Sequence, residues 1–140
     1  MTTQEFINKA WNGQTRRDRC SSVFKDNDNN LYSYGYHYPL LFTIGDKQIR
    51  NVSGYSNSTA KHINWTRDIN AIDVEVPYDF RLNNWLDDEV QIAKLVKGQQ
   101  EYIDTAKQQM DAMKRKDTQV YKSLEYDYDR AVNNLKELQQ

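Results

Sequence analysis

Apolar and aromatic residues recur in short runs through the first half of the chain, and turn-forming residues separate these runs. The runs lie at residues 21–25, 31–38, 39–44, 47–52 and 71–76. Aspartate and asparagine fill residues 26–30, and Gly45 with Asp46 forms a tight turn. Pro77 stops the last run. Strands bounded by such residues are typical of a β-meander, so the pattern predicts a small antiparallel sheet of four to five strands.

Two shorter stretches have the spacing of amphipathic helices. The first covers about residues 3–12 and ends at Gly13, because glycine readily takes the left-handed conformation that closes a helix. The second covers about residues 59–69, with Asn57 or Ser58 as its N-cap. We therefore expect an N-terminal helix before the sheet and a short helix within it.

The second half of the chain has the pattern of two long helices. From about residue 84 it contains no proline, and its apolar residues are Val96, Ile103, Ala106, Met110 and Met113, followed by Tyr121, Leu124, Tyr128, Ala131, Leu135 and Leu138. The second set is spaced alternately by three and four residues, as in a coiled coil. The charged cluster at residues 113–118 carries helix-end and helix-start signals. Residues 84–140 are predicted to form a helical hairpin, with one unbroken rod as the alternative.

These elements together predict an α+β fold. A chain of 140 residues has the usual length of one domain. We expect a single domain over residues 1–140, in which residues 1–80 form the sheet module. The hairpin of residues 84–140 would pack on this module or project from it.

Four tyrosines alternate along the second predicted strand, in the run LYSYGYHYPL at residues 31–40. Side chains of a strand point alternately to its two faces, so Tyr32, Tyr34, Tyr36 and Tyr38 would share one face. Such a face either packs beneath helices or binds a partner, since tyrosine is enriched at interfaces. We expect the central pair, Tyr34 and Tyr36, to be buried, and Tyr32 and Tyr38 to lie at the rim as partner-binding residues.

The charge distribution argues against a dedicated nucleic-acid binder. The net charge is −1, and residues 1–70 carry nine Lys/Arg against six Asp/Glu. Residues 71–140 carry ten against fourteen. Nucleic-acid-binding domains are usually strongly basic. The lone Cys20 allows no intramolecular disulfide, and the sequence contains no long apolar run or secretory signal. These features predict a soluble cytoplasmic protein that does not bind a membrane.

Catalytic and metal-binding motifs are absent from the sequence. It contains no glycine-rich phosphate loop, no H-E-x-x-H and no C-x-x-C. We therefore expect no enzyme activity, no metal and no cofactor. The remaining catalytic alternative is a small hydrolase in which Cys20 is activated by His37 or His62.

Polar and basic residues mark two candidate binding segments. Residues 54–64 place hydroxyl, ammonium and imidazole groups near a helix N-terminus, where anions are favoured. The candidates in and after this segment are Tyr55, Ser58, Thr59, Lys61, His62 and Arg67. A second basic group consists of Arg16, Arg17 and Arg19. Helix capping and solvation are the alternative explanations for these residues.

Three segments resemble small uncharacterised proteins that bacteriophages and plasmids encode. They are RDRCSSVF at residues 17–24, YSYGYHYPL at residues 32–40 and YSNSTAKH at residues 55–62. The resemblance covers about residues 15–65 and implies a mobile-element origin without an assigned chemistry. Such proteins include anti-CRISPR inhibitors, which would act in the cytoplasm of the host bacterial cell.

Three hypotheses of function follow from the residues and this resemblance. In the first, the chain is a non-enzymatic inhibitor whose partner is a host defence protein, in particular a CRISPR-associated nuclease. In the second, it is a nucleic-acid-binding accessory protein that uses its basic residues on phosphates and its tyrosines on bases. The third is the Cys/His hydrolase. The oligomeric state stays open, and a homodimer through the hairpin is one arrangement.

Overall fold

The helix and strand boundaries follow the turn residues of the sequence. The computed structural model describes residues 1–54, 56–83 and 85–140. In chain order its elements are α1 (Thr3–Trp11), β1 (Arg19–Cys20), β2 (Val23–Lys25), β3 (Leu31–Ser33), β4 (Pro39–Ile44), β5 (Lys47–Asn51), α2 (Asn57–Trp65), β6 (Ile72–Val74), α3 (Asp88–Ala112) and α4 (Gln119–Gln139). The predicted α+β class is confirmed. Within the described chain, no helix has both the length and the apolar character required to cross a membrane.

The strands form one mixed sheet in the order β1-β2-β3-β4-β5-β6. Strands β1 to β5 pair antiparallel with their neighbours, as the meander pattern predicts. Strand β6 pairs parallel with β5, with Arg50 opposite Asp73. A parallel pair requires a crossover connection, and α2 lies in that connection. The prediction of a purely antiparallel sheet of four to five strands was therefore too simple.

The predicted tyrosine face is wrong, because β3 ends at Ser33. Tyr34 has a φ of 69°, which takes the chain out of the extended conformation. The Tyr38 N–H donates to Gly35 O at 3.1 Å, so residues 34–38 form a turn. A Cβ on Gly35 would lie 2.7 Å from His37 Nδ1, so a larger residue there would displace the His37 ring. A turn does not keep period two, and the burial of the tyrosines no longer follows strand alternation.

The burial of the four tyrosines is the reverse of our expectation. Tyr32 and Tyr38 are each 4% exposed, whereas Tyr34 is 52% and Tyr36 is 63% exposed. The ends of the series belong to or adjoin β3 and β4, and both strands are covered by the core. The central pair lies at the tip of the turn. The exposed aromatic residues are therefore Tyr34 and Tyr36.

The sheet lies between two apolar clusters. One cluster joins the helix residues Phe6, Ile7 and Ile63 to strand residues that include Leu41. The other joins Phe42, Ile49 and Val74 of the sheet to Leu95 and Leu138 of the C-terminal helices. Leu41 and Phe42 are adjacent in β4 and therefore face opposite sides. Helices α1 and α2 thus cover one face, and α3 with α4 covers the other.

The C-terminal helices form a hairpin, which excludes the alternative of one rod. Helix α3 ends at Ala112, α4 begins at Gln119, and the two pack along a seam that includes Ile103, Ala131 and Leu135. Gln99 connects this hairpin to the sheet, because its side-chain oxygen accepts from Glu75 N at 2.8 Å and its nitrogen donates to Ala131 O at 3.1 Å. The hairpin therefore packs on the sheet module.

A buried ion pair joins β5 to β6. Arg50 is 5% exposed, and its Nη1 donates to Asp73 Oδ1 at 2.6 Å. The same guanidinium donates to the Thr66 hydroxyl and carbonyl at 2.9 and 2.7 Å and to the carbonyl of Ile69. Arg67 and Arg130 donate to Asp73 Oδ2 at 3.2 and 2.5 Å. One carboxylate thus links the sheet, the loop after α2 and helix α4.

We predict that Leu135→Asp destabilises the hairpin by several kcal/mol, because it buries a charge without a partner. Leu135 is 9% exposed and lies in the seam. The neighbouring surface substitution Lys136→Ala should change the free energy of unfolding by less than about 0.5 kcal/mol. Urea unfolding followed by circular dichroism measures both. Equal urea midpoints for the two variants would show that Leu135 does not pack in the interface between α3 and α4.

Asp73→Asn should lower the free energy of unfolding by about 3–5 kcal/mol, because it leaves the buried Arg50 guanidinium without its counter-charge. Asp68→Asn is the matched control, since Asp68 is exposed and lies in the same loop region. The measurement is urea unfolding of both variants at neutral pH. If Asp73→Asn costs no more than Asp68→Asn, the ion pair does not stabilise the fold.

Candidate functional site

Three separate segments of the chain, residues 17–24, 32–40 and 56–62, meet at His62 on α2. Ser22, in the connection between β1 and β2, places its hydroxyl 3.4 Å from His62 Nε2. Ser33, at the end of β3, places its hydroxyl 2.6 Å from His62 Nδ1. Each segment thus contributes one side chain to a single polar cluster, which we call the His62 cluster (Ser22, Ser33 and His62).

Aromatic rings enclose the His62 imidazole. The ring centroids of Tyr34 and Trp65 lie 5.5 and 5.6 Å from that of His62. His62 is 5% exposed, and its burial lowers the pKa of the imidazole below the ordinary value. A neutral imidazole has one N–H donor and one acceptor nitrogen, which matches a serine hydroxyl on each side. The cluster therefore contains a neutral histidine at pH 7.

Tyr34 covers this cluster in a strained backbone conformation. Its φ of 69° costs a non-glycine residue roughly 1–2 kcal/mol, and its N–H donates to Ser22 O at 2.7 Å. Hydrogen bonding by the Ser58 and Ser22 hydroxyls, with a smaller effect of the Lys61 charge, lowers the pKa of the phenol. Strain retained at an exposed aromatic residue is typical of functional positions.

Tyr36 belongs to a second aromatic group beside the first. Its ring makes edge contacts with Phe24 and Tyr32, with centroid distances of 5.0 and 4.9 Å, and those two rings stack at 5.3 Å. The Arg19 guanidinium lies 4.6 Å from the centre of the Phe24 ring. Phe24 and Tyr32 are buried. They support Tyr36, which presents most of its ring to solvent.

The loop between β6 and α3 lies beside this turn. Arg81 Nη1 donates to His37 O at 3.4 Å and to Tyr78 O at 2.9 Å. Tyr78 is 72% exposed. We use the name aromatic surface for Tyr34, Tyr36, Tyr78 and Arg81, because the hydrogen bonds of Arg81 join the two loops that carry them. Trp85, 95% exposed, follows in the same loop.

Sequence reasoning missed the residues of the second loop. Tyr78, Arg81 and Trp85 were not among the predicted binding residues. The available signal was an aromatic-rich stretch after Pro77 that belongs to neither the strand pattern nor the helical pattern. Aromatic residues in a loop without such a pattern contribute to no predicted core, so they are candidates for recognition.

Two of the predicted partner-binding tyrosines are buried structural residues. The Tyr32 hydroxyl donates to Asp26 Oδ2 at 2.9 Å, and the Tyr38 hydroxyl donates to Ser53 O at 2.7 Å. Burial is the main cause that raises the pKa of both phenols. Tyr32 and Tyr38 therefore have little surface to offer a partner. Tyr55 lies outside the described residues.

The residues predicted around the start of α2 divide into capping and surface positions. The N-cap is Ser56, not Asn57 or Ser58, because the Ser56 hydroxyl accepts from Thr59 N at 3.1 Å. Thr59 is 1% exposed and also bonds to the Ser56 hydroxyl. The Ser56 and Thr59 hydroxyls therefore act in ordinary capping, and the anion site predicted at this helix start stays a prediction. Ser58 and Lys61 remain exposed beside Tyr34.

The predicted basic residues do not form one patch. Arg17 Nε donates to Arg19 O at 2.8 Å, and Arg19 lies over Phe24. Arg16 is exposed at the start of this segment. Arg67 binds Asp73 on β6 instead of joining the His62 cluster. The structure thus brings Arg19 and Lys61 to the two sides of the exposed tyrosines and assigns Arg67 to a different site.

Cys20 and His62 do not form the nucleophile–base pair that the hydrolase alternative requires. The Cys20 thiol is buried and lies 3.8 Å from both Thr3 Oγ1 and Met1 O, whereas His62 bonds to serines. Among the described residues, no group of three or more His, Cys, Asp or Glu side chains is arranged to hold a metal ion.

Comparison of the chain with protein-family models, curated proteins and solved structures finds no match. Its function must therefore be inferred from its own residues.

We predict that acid destabilises the protein through His62. Because the pKa of folded His62 lies below its unfolded value near 6.5, the unfolded chain binds the extra proton first. Stability is then complete above about pH 6.5 and declines as the pH falls toward the folded pKa. The measurement compares wild type and His62→Gln by urea unfolding at pH 7.5 and pH 5.5.

The His62→Gln substitution should lower the free energy of unfolding less at pH 5.5 than at pH 7.5. Comparing the two proteins also cancels the effect of Glu75, whose pKa is raised by burial and whose contribution to stability changes with pH in the opposite direction. An equal cost of His62→Gln at both pH values would show that the buried imidazole does not control the acid response.

Proposed function

We propose that this chain is a non-enzymatic binding protein that docks on a partner protein through the aromatic surface. The observation that carries the proposal is the exposure of Tyr34 and Tyr36 at 52% and 63% on a turn whose other aromatic residues are buried. Large exposed aromatic side chains are the commonest energetic anchors of protein interfaces. Arg81 donates to the His37 carbonyl in the same turn, and arginine is also enriched at such anchors.

Both tyrosines are held in place before any partner binds. The Tyr34 backbone is fixed by Ser22 O, and its ring rests on His62. The Tyr36 ring rests on the edges of Phe24 and Tyr32. Binding through side chains that are already ordered costs less conformational entropy than binding through mobile ones. The buried His62 cluster, in this proposal, is a support for the aromatic surface.

The resemblance to bacteriophage and plasmid proteins favours a host defence protein as the partner. We propose a CRISPR-associated nuclease as the first candidate, so that the chain would act as an anti-CRISPR inhibitor in the cytoplasm of the host bacterium. The aromatic surface suits this role in a physical sense, because an inhibitor without catalytic groups must occupy its target by contact alone. The choice of target depends on the resemblance.

A nucleic-acid-binding accessory protein is the second candidate. The observation in its favour is that Arg19 and Lys61 lie beside the exposed tyrosines, where cations on phosphates and rings on bases would act together. Salt distinguishes the two candidates, because binding that neutralises phosphates weakens steeply as the ionic strength rises. Binding through Tyr34 and Tyr36 to a protein surface should change much less between 50 and 300 mM salt.

We expect Tyr34→Ala and Tyr36→Ala to weaken partner binding about tenfold, as truncated interface aromatics do. A tagged protein is first used to capture its partner from a nuclease-treated bacterial lysate, with mass spectrometry for identification. The affinities of the purified variants for that partner are then measured by calorimetry.

Tyr126→Ala is the matched control, because Tyr126 is also 63% exposed but lies on α4. Its affinity should equal that of wild type. If all three variants bind alike, the aromatic surface is not the docking site. If only nucleic acid is recovered when the nuclease is omitted, the accessory-protein candidate replaces the inhibitor.

A further inference from the structure

Two half-exposed arginines converge on one carboxylate oxygen at the wall of a polar cavity. Arg67 comes from the loop after α2, and Arg130 comes from α4. Both donate to Asp73 Oδ2, and their side chains are 45% and 46% exposed. The cavity that they line has a volume of ≈ 480 Å³. This cavity is lined by the loop after α2, by Arg50 and Asp73 of the sheet and by α4, and it does not include the aromatic surface.

The charge of Asp73 is already balanced without these two residues. Buried Arg50 donates to the other oxygen, Asp73 Oδ1, at 2.6 Å. Arg67 and Arg130 therefore bring two positive charges to a carboxylate that has a full counter-charge. Counted with Asp68 and Glu137, the cavity is lined by three arginines and three carboxylates, so it offers an anion the guanidinium donors of Arg67 and Arg130 and not a net positive charge.

Most of the donors of the two arginines are unused within the described part of the chain. The hydrogen bonds of Arg67 there involve Nη1 alone, and those of Arg130 involve Nη2 alone. A guanidinium has five N–H groups in a planar fork. Asp73 thus orients both guanidiniums, and their remaining N–H groups make no hydrogen bond within the described residues. Ordered donors of this kind bind oxyanions with little loss of side-chain entropy.

We propose that this cavity binds a terminal phosphoryl group, as inorganic phosphate or as a phosphate monoester. A phosphate near pH 7 carries a charge of about −1.5 to −2, so the guanidiniums of Arg67 and Arg130 would bind it through charge-assisted hydrogen bonds. Its tetrahedral oxygens can accept from both guanidinium forks together. The amides of Asn133 and Asn134 also line the cavity and offer further donors.

Two carboxylates at the cavity wall restrict the ligand. Asp68 and Glu137 line the same cavity, and both are exposed. A phosphate diester in a chain would bring neighbouring phosphates toward these negative charges. A single terminal phosphoryl group would meet less of this repulsion. The site therefore favours one isolated phosphate over a nucleic-acid backbone, and it is independent of the protein-docking role proposed above.

The test is a titration followed by NMR of the arginine Nε–H groups. Inorganic phosphate, adenosine 5′-monophosphate and a thymidine oligonucleotide are added separately to the full chain. We expect saturable shifts of the Arg67 and Arg130 signals with phosphate or the monophosphate and weaker shifts with the oligonucleotide. Tighter binding of the monophosphate than of inorganic phosphate identifies an ester as the source of the phosphoryl group, and the reverse order identifies the free ion.

Arg115 provides the internal control, because it is exposed and pairs only with Asp117 among the described ion pairs. Shifts of equal size at Arg115, Arg67 and Arg130 would mean non-specific attraction and would overturn the proposal. Strongest binding of the oligonucleotide would also overturn it, since the site would then prefer a diester backbone.

Two variants test the roles of the charges. Arg130→Gln should weaken phosphate binding about tenfold, because it removes a charge-assisted donor pair. Glu137→Gln should strengthen binding several-fold, since it removes a repelling carboxylate and leaves all arginine bonds to Asp73 in place. Arg130→Gln also removes an ion pair of the fold. If that variant unfolds, phosphate binding by Glu137→Gln tests the proposal without it. Unchanged or weaker binding by Glu137→Gln contradicts the proposal.

Discussion

The buried pair of Arg50 and Asp73 is the interaction on which the rest of the structure depends. A guanidinium that is 5% exposed requires a counter-charge and acceptors, because an unpaired buried charge is very costly. Asp73 supplies the charge from the neighbouring parallel strand, and Thr66 and Ile69 supply carbonyl oxygens from the loop after α2. The pair therefore specifies the register of β5 and β6 and the path of the crossover. The same carboxylate also accepts from Arg130 of α4. The ion-pair network therefore connects the sheet to the α2 region on one face and to α4 on the other.

Part of the aromatic surface lies on an irregular turn between two strands of this sheet. The turn of residues 34–38 keeps Tyr34 at a positive φ, and its cost is offset by contacts with elements that the framework positions independently. Ser22 belongs to the first hairpin, and His62 belongs to the crossover helix. An exposed tyrosine in an unfavourable conformation is thus held by buried polar bonds. This arrangement holds two exposed aromatic rings in fixed positions, whereas the phosphoryl site proposed at Arg67 and Arg130 uses the ion-pair network itself.

The elements were predictable where a periodic pattern extended over many residues. The seam of α4 was predicted correctly because spacings of three and four residues place side chains on one helix face, and Ala131, Leu135 and Leu138 are buried as expected. The strand pattern was reliable for β4 and β5 but not for the tyrosine series, where alternation continued past the end of β3. Residue spacing in the sequence does not distinguish a strand from this turn, whereas the positive φ of Tyr34 and the Tyr38–Gly35 hydrogen bond do. The candidate site was anticipated in part, through His62 and Lys61, while Tyr78 and Arg81 join it by a contact between distant loops.

The sequence by itself determined the composition of the layers: an N-terminal helix, a meander of short strands, a crossover helix and two long helices. These features depend on local propensity and on the burial of one face, both of which are written in consecutive residues. Tertiary structure decided which polar residues lie inside. Asp73 alternates with apolar neighbours and has the pattern of a solvent-facing residue, yet it is buried because Arg50 comes to lie beside it. Pairing between residues distant in the chain has no local signal, and for that physical reason the ion-pair network and the aromatic surface could be found only in the folded molecule.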